Sequence, residues 1–406
     1  MLTSLRNHPK IYRVGSWVIL VAAILILLKL APTLTRPEYL QSDDFTHFWA
    51  SERLLIQGEN PYDLVKIEQL KSVYGAPASS MSKITITLNP PWLISLMLPF
   101  GLLDYPASRL LWLITSTILI LVSSVMLWNM YSNHPKQRWL SLLVAFIFGP
   151  TISVLEKGQV TTLLLIGIVG FLYFTVDKPN DWPAGIFLAI ASVKPQVIVL
   201  FWVALLFWVI QRRRWITMIS AFLSVLVLMG IAFLINPHVL PQYLEMLQAY
   251  PLTDWANPTL GSYLRFFWLG IDQYWPQFLP ALIAVVWLMY YWYRHQAAWD
   301  WLQATPVILL VSMLTSPYAW TYDLVILVPC IIAATSWIAT DWKRWSTLLL
   351  GVIFLAITIL DLYLHTMLDE FWFIWMAPSM LIWYLLAVWQ YPHFLSKPSK
   401  VAKLHA

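Results

Sequence analysis

The stretch Trp215-Ile216-Thr217-Met218-Ile219-Ser220-Ala221-Phe222-Leu223-Ser224-Val225-Leu226-Val227-Leu228-Met229-Gly230-Ile231-Ala232-Phe233-Leu234-Ile235 carries no charged side chain and directly follows Arg212-Arg213-Arg214. About 20 consecutive apolar residues wound as a helix cross the hydrocarbon core of a bilayer with every backbone polar group satisfied. The stretch is therefore predicted to be a transmembrane helix with a basic flank. Val14–Thr33 reads the same way, as does Thr347–Leu360 with its flanks. Of the 406 residues, 60% are hydrophobic and 11% charged, against about 25% charged in an average soluble domain. Trp139, Trp182, Trp215, Trp299 and Trp342, among 25 tryptophans, fall at span ends, where an amphipathic indole is favoured. An all-α polytopic integral membrane protein follows.

Hydropathy places twelve spans, at 14–33, 88–103, 106–130, 139–154, 159–176, 183–209, 215–236, 277–293, 302–316, 323–339, 345–364 and 372–390. The first is too long for a cleaved signal peptide and has no small-x-small site after it. Arg6, Lys10, Arg13, Lys157, Arg212, Arg213, Arg214, Arg294, Lys343, Arg344, Lys397, Lys400 and Lys403 then fall on one side. The positive-inside rule makes that side cytoplasmic and both termini with it. Lys136 and Arg138 run against the rule locally. Two long outer loops remain, 34–87 and 237–276. The first holds an amphipathic stretch, Asp44–Gln57, stopped by Gly58; the second, rich in proline and aromatic residues, is expected to form short interfacial helices. No repeat or soluble domain interrupts the chain, so 1–406 reads as one membrane domain. The net charge of +5 is scattered among loops, unlike a nucleic-acid footprint, and the lone Cys330 supports neither a disulfide nor a thiolate metal site.

The chemistry lies in the polar residues that break this pattern. Asp43-Asp44 stands just beyond the first span. One aspartate suits a helix N-cap, and Asp43 fits that role; Asp44 on the first turn then faces outward, where a carboxylate can act as a general base. His47, three residues on, shares that helix face. Asn89 precedes Pro90-Pro91, which mark a helix start, and looks toward the same side. Glu156-Lys157-Gly158-Gln159 reads as a tight turn between spans, with Gln159 a candidate site residue. Lys194-Pro195 interrupts an apolar stretch, where a lysine either snorkels or holds an anion and a proline breaks the helix. Ser316-Pro317-Tyr318-Ala319-Trp320-Thr321-Tyr322-Asp323 joins stacking aromatics to a carboxylate, as a sugar site or an interfacial belt would. Arg265, in the second loop, suits either a phosphate or a headgroup.

Taken in order, Asp44-x-x-x-Phe48, Gly58-x-Asn60-Pro61-Tyr62-Asp63, Pro90-Pro91, Leu98-Pro99, Gly158-Gln159, Lys194-Pro195 and Ser316-Pro317-x-x-Trp320 resemble glycosyltransferase family 87, membrane enzymes of the GT-C class that use polyprenyl-phosphate sugars. The resemblance runs over nearly the whole chain. It implies that Asp44 is the catalytic base and that 237–276 is the second large outer loop. It also implies a GT-C-like architecture of about twelve transmembrane helices in a cell membrane, with the active site facing outside. The family often carries histidine two positions after the Ser-Pro-x-x-Trp tryptophan, where this chain has Tyr322.

The implied reaction moves a sugar, mannose by the family's habit, from a polyprenyl-phosphate donor to a glycolipid or glycan acceptor. A single displacement with Asp44 as base inverts the anomeric centre, and Lys194 and Arg265 steady the leaving phosphate. Asp43, His47, Asn89, Gln159, Trp320 and Tyr322 complete the expected substrate contacts; no metal or other cofactor is expected. A polytopic transporter or flippase also predicts an intramembrane lysine beside a proline-broken helix. Against it stand the absence of an inverted repeat and the presence of two capping loops.

Overall fold

The computed structural model describes residues 44–73, 89–250, 255–270, 272–339 and 345–391. Asp43, the span 14–33 and the basic residues of both termini lie outside the described residues. Among the described residues every regular element is a helix. Before the first long helix come α1 (Phe45–Ile56), α2 (Leu64–Val73) and α3 (Pro91–Gly101). Next are α4 (Tyr105–Tyr131), α5 (Trp139–Ile147), α6 (Gly149–Lys157), α7 (Thr161–Leu172), α8 (Asp181–Ala191), α9 (Val199–Arg212) and α10 (Trp215–Ile235). Then follow α11 (Val239–Ala249), α12 (Leu279–His295), α13 (Trp301–Thr315), α14 (Val328–Ile338), α15 (Trp345–Leu364) and α16 (Met376–Gln390).

Six segments are long and apolar enough to cross a membrane: Tyr105–Tyr131, Pro195–Arg212, Trp215–Ile235, Thr321–Ile338, Thr347–Leu364 and Glu370–Gln390. A seventh exists if α5 and α6, bent by 62°, form one broken span. The protein is thus a polytopic helical membrane protein. Burial divides the spans by role. Thr321–Ile338 is wholly buried at the centre, whereas Trp215–Ile235 keeps Phe222, Val227 and Leu234 exposed, as suits a helix bordering lipid.

Contacts between helix ends define two ends of the bundle. At the far end Arg214 pairs with Asp181, Arg212 reaches the carbonyls of Gln296 and Ala297, Tyr131 reaches the Leu302 carbonyl, and Thr347 meets Tyr391. At the near end Thr46 meets Tyr105, Asn236 holds the Glu59 carbonyl, Ser316 holds the Gln196 carbonyl and Thr321 meets His365. Three expectations change accordingly. The single span 183–209 is two helices, α8 rising to the near end and α9 returning from it, with Lys194 in the break. The break itself was expected at Pro195; hydropathy misses the reversal because both arms are apolar. The span 88–103 is the short α3, lying against α1 where Gly101 leaves room for Glu52. Lys157 lines the same cavity as Asp44, so the two cannot stand on opposite sides of the membrane. α4 descends from the near end and α5–α6 climbs back, which puts Lys136 and Arg138 with the far-end arginines and Lys157 at the near end.

Candidate active site

A cavity of about 240 Å³ opens at the near end where α1, the α6–α7 turn, the α8–α9 break and the segments around 320 and 370 converge. It is lined by Asp44, His47, Phe48, Asn89, Lys157, Gln159, Val193, Lys194, Gln196, Trp255, Tyr318, Trp320, Tyr322 and Glu370. Seven residues singled out from sequence, Asp44, His47, Asn89, Gln159, Lys194, Trp320 and Tyr322, are therefore brought together from five separate parts of the chain. Asp43 lies outside the described residues. Arg265 is not in this lining: it is fully buried, donating to Gln277 Oε1 at 3.1 Å and lying over the rings of Phe266 and Tyr274.

Asp44 occupies the N-cap position of α1, yet its side chain makes no capping bond. The cap role that the sequence offered to Asp43 is thus not taken by its neighbour. The Asp44 carboxylate instead accepts from Gln159 Nε2 at 2.7 Å, its single hydrogen bond among the described residues. Gln159 is aimed by the end of α6. Gly158 adopts φ 65°, a left-handed conformation that favours glycine, and closes the helix there. Arg109 of α4 holds the carbonyls of Leu155 and Glu156, and Trp112 holds that of Gly158. Four orphan carbonyls end every helix, and α4 uses three of these contacts to fix where Gln159 points.

Gln159 passes the connection on. Its Oε1 accepts from Lys194 Nζ at 2.9 Å, and that ammonium also donates to Thr161 Oγ1 at 3.2 Å and Asp323 Oδ1 at 2.9 Å. Asp323 accepts further from Thr161 Oγ1 and from the Trp320 backbone N–H. The two aspartates are therefore unlike. Asp323 is 1% exposed with both oxygens occupied, which makes it a fixed counter-ion. Asp44 has one oxygen held and its carboxylate open on the cavity.

Two ammoniums lie over the Tyr322 ring, Lys194 at 4.8 Å and Lys157 at 5.4 Å from its centroid. Lys157 also pairs with Glu370. An aromatic wall closes the cavity: Trp255 packs on Tyr318 and Trp320 at 5.4 and 6.1 Å, and Trp320 Nε1 donates to the Tyr318 hydroxyl. Burial pushes the Tyr318 phenol well above its ordinary range, so it stays protonated. His47 approaches Lys71 Nζ at 3.2 Å through Nε2. Burial, with the Lys71 ammonium acting alongside and Glu68 opposing, lowers the imidazole to about 3. Since an ammonium has no acceptor, His47 accepts at Nε2 and carries its proton on Nδ1. Tyr62 anchors the Asn89 carbonyl at 2.8 Å.

Lys157, Glu370, Trp255 and the anchor Thr161 were not among the residues chosen from sequence, and Tyr318 and Asp323 were read only as part of the stretch 316–323. Lys157 was legible in principle, as a lysine beside Gln159 in a four-residue polar break, but a tight turn explains such a break equally well. Among the described residues no three of His, Cys, Asp and Glu gather closely enough to hold a metal ion.

The family model of glycosyltransferase family 87 matches residues 88–317, more than half of the chain. Asn89, Lys157, Gln159 and Lys194 fall inside the match; Asp44, Trp320, Tyr322, Asp323 and Glu370 fall outside it. No curated protein and no solved structure matches the chain.

Proposed function

The chain belongs to glycosyltransferase family 87 and is a membrane glycosyltransferase, and from that premise we propose that it moves a sugar from a polyprenyl-phosphate donor to a hydroxyl acceptor with Asp44 as general base. The observation that carries this reading is the open carboxylate of Asp44, held by Gln159 in a cavity it shares with two ammoniums. The acceptor hydroxyl gives its proton to Asp44 as its oxygen forms the new bond to the anomeric carbon. The bond from that carbon to the phosphate oxygen breaks, and the phosphate leaves with the electron pair. Positive charge across the cavity stabilises that departure, as preorganised electrostatics does generally. One base and one displacement invert the anomeric centre. The Trp255, Tyr318 and Trp320 wall suits the apolar face of a sugar.

A groove of about 540 Å³, lined by Leu260, Tyr263, Leu264, Phe267, Trp268, Pro280, Ile283, Thr315 and Ile374, supports a lipid-linked donor. It is almost wholly apolar, and Thr315 and Ile374 tie it to segments that also line the cavity. Its occupant on this reading is the polyprenyl chain. Mannose and a glycolipid or glycan acceptor are the substrates we propose by family likeness.

The two ends of the bundle are proposed to be the two membrane faces. Among the described residues eleven passages result: α3 drops out, α8 and α9 count separately, and 14–33 lies outside the described residues. The far end then holds Lys136, Arg138, Arg212, Arg213, Arg214 and Arg294, which the positive-inside rule makes cytoplasmic. The cavity faces the other side.

The test uses the full chain in nanodiscs, with radiolabelled polyprenyl-phosphate mannose and a membrane lipid extract. Removing a general base lowers the rate by about 10²–10⁴. Wild type is expected to transfer the label, and Asp44→Asn, folded by its thermal unfolding, to lose transfer by that factor, with an inverted product by NMR. Equal transfer by both proteins would sink Asp44 as the base. No transfer by either from several donor sugars would shift the weight to a transporter.

A further inference from the structure

The Lys157–Glu370 pair is an ionic contact of the cavity whose carboxylate has no part in the proposed displacement. Lys194, the more obvious phosphate cation, is already spent. An ammonium has three N–H donors, and those of Lys194 go to Gln159, Thr161 and Asp323. Its charge is matched by the buried Asp323 carboxylate. An incoming phosphate takes a bond from Lys194 only by breaking that network, which also steadies Asp44.

Lys157 is different. Its one hydrogen-bond partner among the described residues is Glu370, and its side chain is 32% exposed against 13% for Lys194. Glu370 is poorly satisfied in return: Oε2 is buried with no partner among the described residues. A buried carboxylate oxygen left unpaired is costly. Such a group is easier to exchange than a saturated one such as Asp323. Glu370 also begins the short segment Glu370–Trp375, which is not uniformly helical, with Phe373 at φ −87° and ψ 16°. Phe371 stacks on Tyr263 at 4.5 Å and receives its hydroxyl on the carbonyl. Tyr263 and Ile374 both line the apolar groove. One six-residue segment thus borders the polar cavity at its first residue and the apolar groove at its fifth.

We propose that Glu370 is a resident stand-in for the donor's phosphate, holding Lys157 in the unliganded protein and yielding it when the lipid phosphate arrives. Lys157 is then the residue that receives the phosphate. This rests on the polyprenyl-phosphate reading of the donor. The exchange swaps one anion for another on the same ammonium. The geometry also ties the swap to a lipid chain in the groove, because the occupant that touches Tyr263 and Ile374 touches the segment that carries Glu370.

A stand-in makes a gain-of-affinity prediction that damage to the fold does not imitate. Apparent affinity falls with the fraction of protein that is binding-competent, so a stand-in seated nine-tenths of the time weakens binding about tenfold. The experiment is equilibrium binding of radiolabelled undecaprenyl phosphate to the full chain in nanodiscs. Glu370→Gln is expected to bind about ten times more tightly than wild type, and Lys157→Gln at least about ten times more weakly. The double variant should match Lys157→Gln, because Glu370 acts through Lys157 alone, and Lys157→Arg should recover most of the affinity. Inorganic phosphate at matched concentration should compete poorly; equal competition overturns a lipid-linked occupant. Unchanged or weaker binding by Glu370→Gln overturns the stand-in whatever Lys157→Gln does. Sugar transfer by the same nanodiscs judges the donor reading separately. Wild-type turnover without a gain in Glu370→Gln removes the stand-in and leaves the transferase. The gain without turnover removes the transferase and leaves the stand-in.

Discussion

Two buried polar clusters sit at the near end of this bundle, and they are finished to different degrees. Around Arg265 the groups bind mainly one another: Gln277 Nε2 lies within hydrogen-bond reach of Asn257, Ser262 and the Pro317 carbonyl and its Oε1 takes Arg265, with Asn257 Nδ2 left buried without a partner among the described residues. Asn257 also receives Thr259 and Ser262. Arg265, Ser262 and Asn257 are 0% exposed, and none of them lines the cavity. Around Asp44 the network runs from Asp323 through Lys194 and Gln159 and then stops at an open carboxylate. A buried polar cluster walled off from the cavity fixes a fold; one that ends on the cavity with an open carboxylate is ready to bind or react.

The comparison breaks most visibly at Arg265. Truncating a buried, hydrogen-bonded arginine leaves Gln277 Oε1 without its donor, and such losses run to about 3 kcal/mol or more. Arg265→Met is expected to lower the unfolding midpoint clearly while leaving the KM for donor near wild type in the protein that remains folded. A large rise in donor KM with an unchanged midpoint would return Arg265 to the phosphate. Gln159→Leu gives the opposite signature. It removes the charged hydrogen bond that orients Asp44, worth about 1.5–3 kcal/mol, or roughly 10–100-fold in rate. The expected loss is in kcat, with a small change in midpoint. A variant that unfolds without slowing would make Gln159 a packing residue like those around Arg265.

Arg265 also shows what sequence reasoning could not separate. An arginine among aromatics in a long loop suits a phosphate, a headgroup or a closed structural cluster, and the choice depends on Gln277 and Asn257, 12 and 8 residues away along the chain. Lys194 was easier, because a lysine followed by proline inside an apolar stretch demands an explanation. The helix break beside it was readable from Pro195, but the reversal of the chain there was not, since both arms of 183–209 are apolar. Gly101 and its neighbours in α3 misled for a related reason: they are apolar because they pack on α1 and α10, and burial in protein looks like burial in lipid. The polar break at 156–159 hid the most. Because α3 does not cross, the passages after it run the other way and Lys157 comes to the near end, where the contacts of Arg109 and Trp112 fix that turn and the cavity shared with Asp44 reveals its side. Glu370 had no partner in sequence at all, because Lys157 lies 213 residues away.

The smallest expected effect separates His47 from Asp44 within the cavity. His47 is lowered to about 3 by burial and by Lys71, against about 6.5 in an unfolded chain. Between those values the unfolded state binds a proton that the folded state does not. Stability is therefore full above pH 6.5 and falls as pH drops toward 3, by up to about 1.4 kcal/mol per pH unit. Denaturant unfolding at pH 7.5, 6.5 and 5.5 should show little change over the first step and a loss of about 1 kcal/mol over the second. His47→Gln should abolish that part of the slope. Because the folded imidazole stays neutral throughout, His47 contributes no ionisation to the rate between pH 5.5 and 8, and any acid limb of kcat in that range belongs to another group. Lys71→Met tests the lesser cause: without the ammonium Glu68 raises the imidazole while burial still lowers it, so the acid loss of stability should level off at a higher pH than in wild type. An acid limb already present in wild type and erased by His47→Gln would show instead that the imidazole titrates in the working enzyme, and His47 would compete with Asp44 for the role of base.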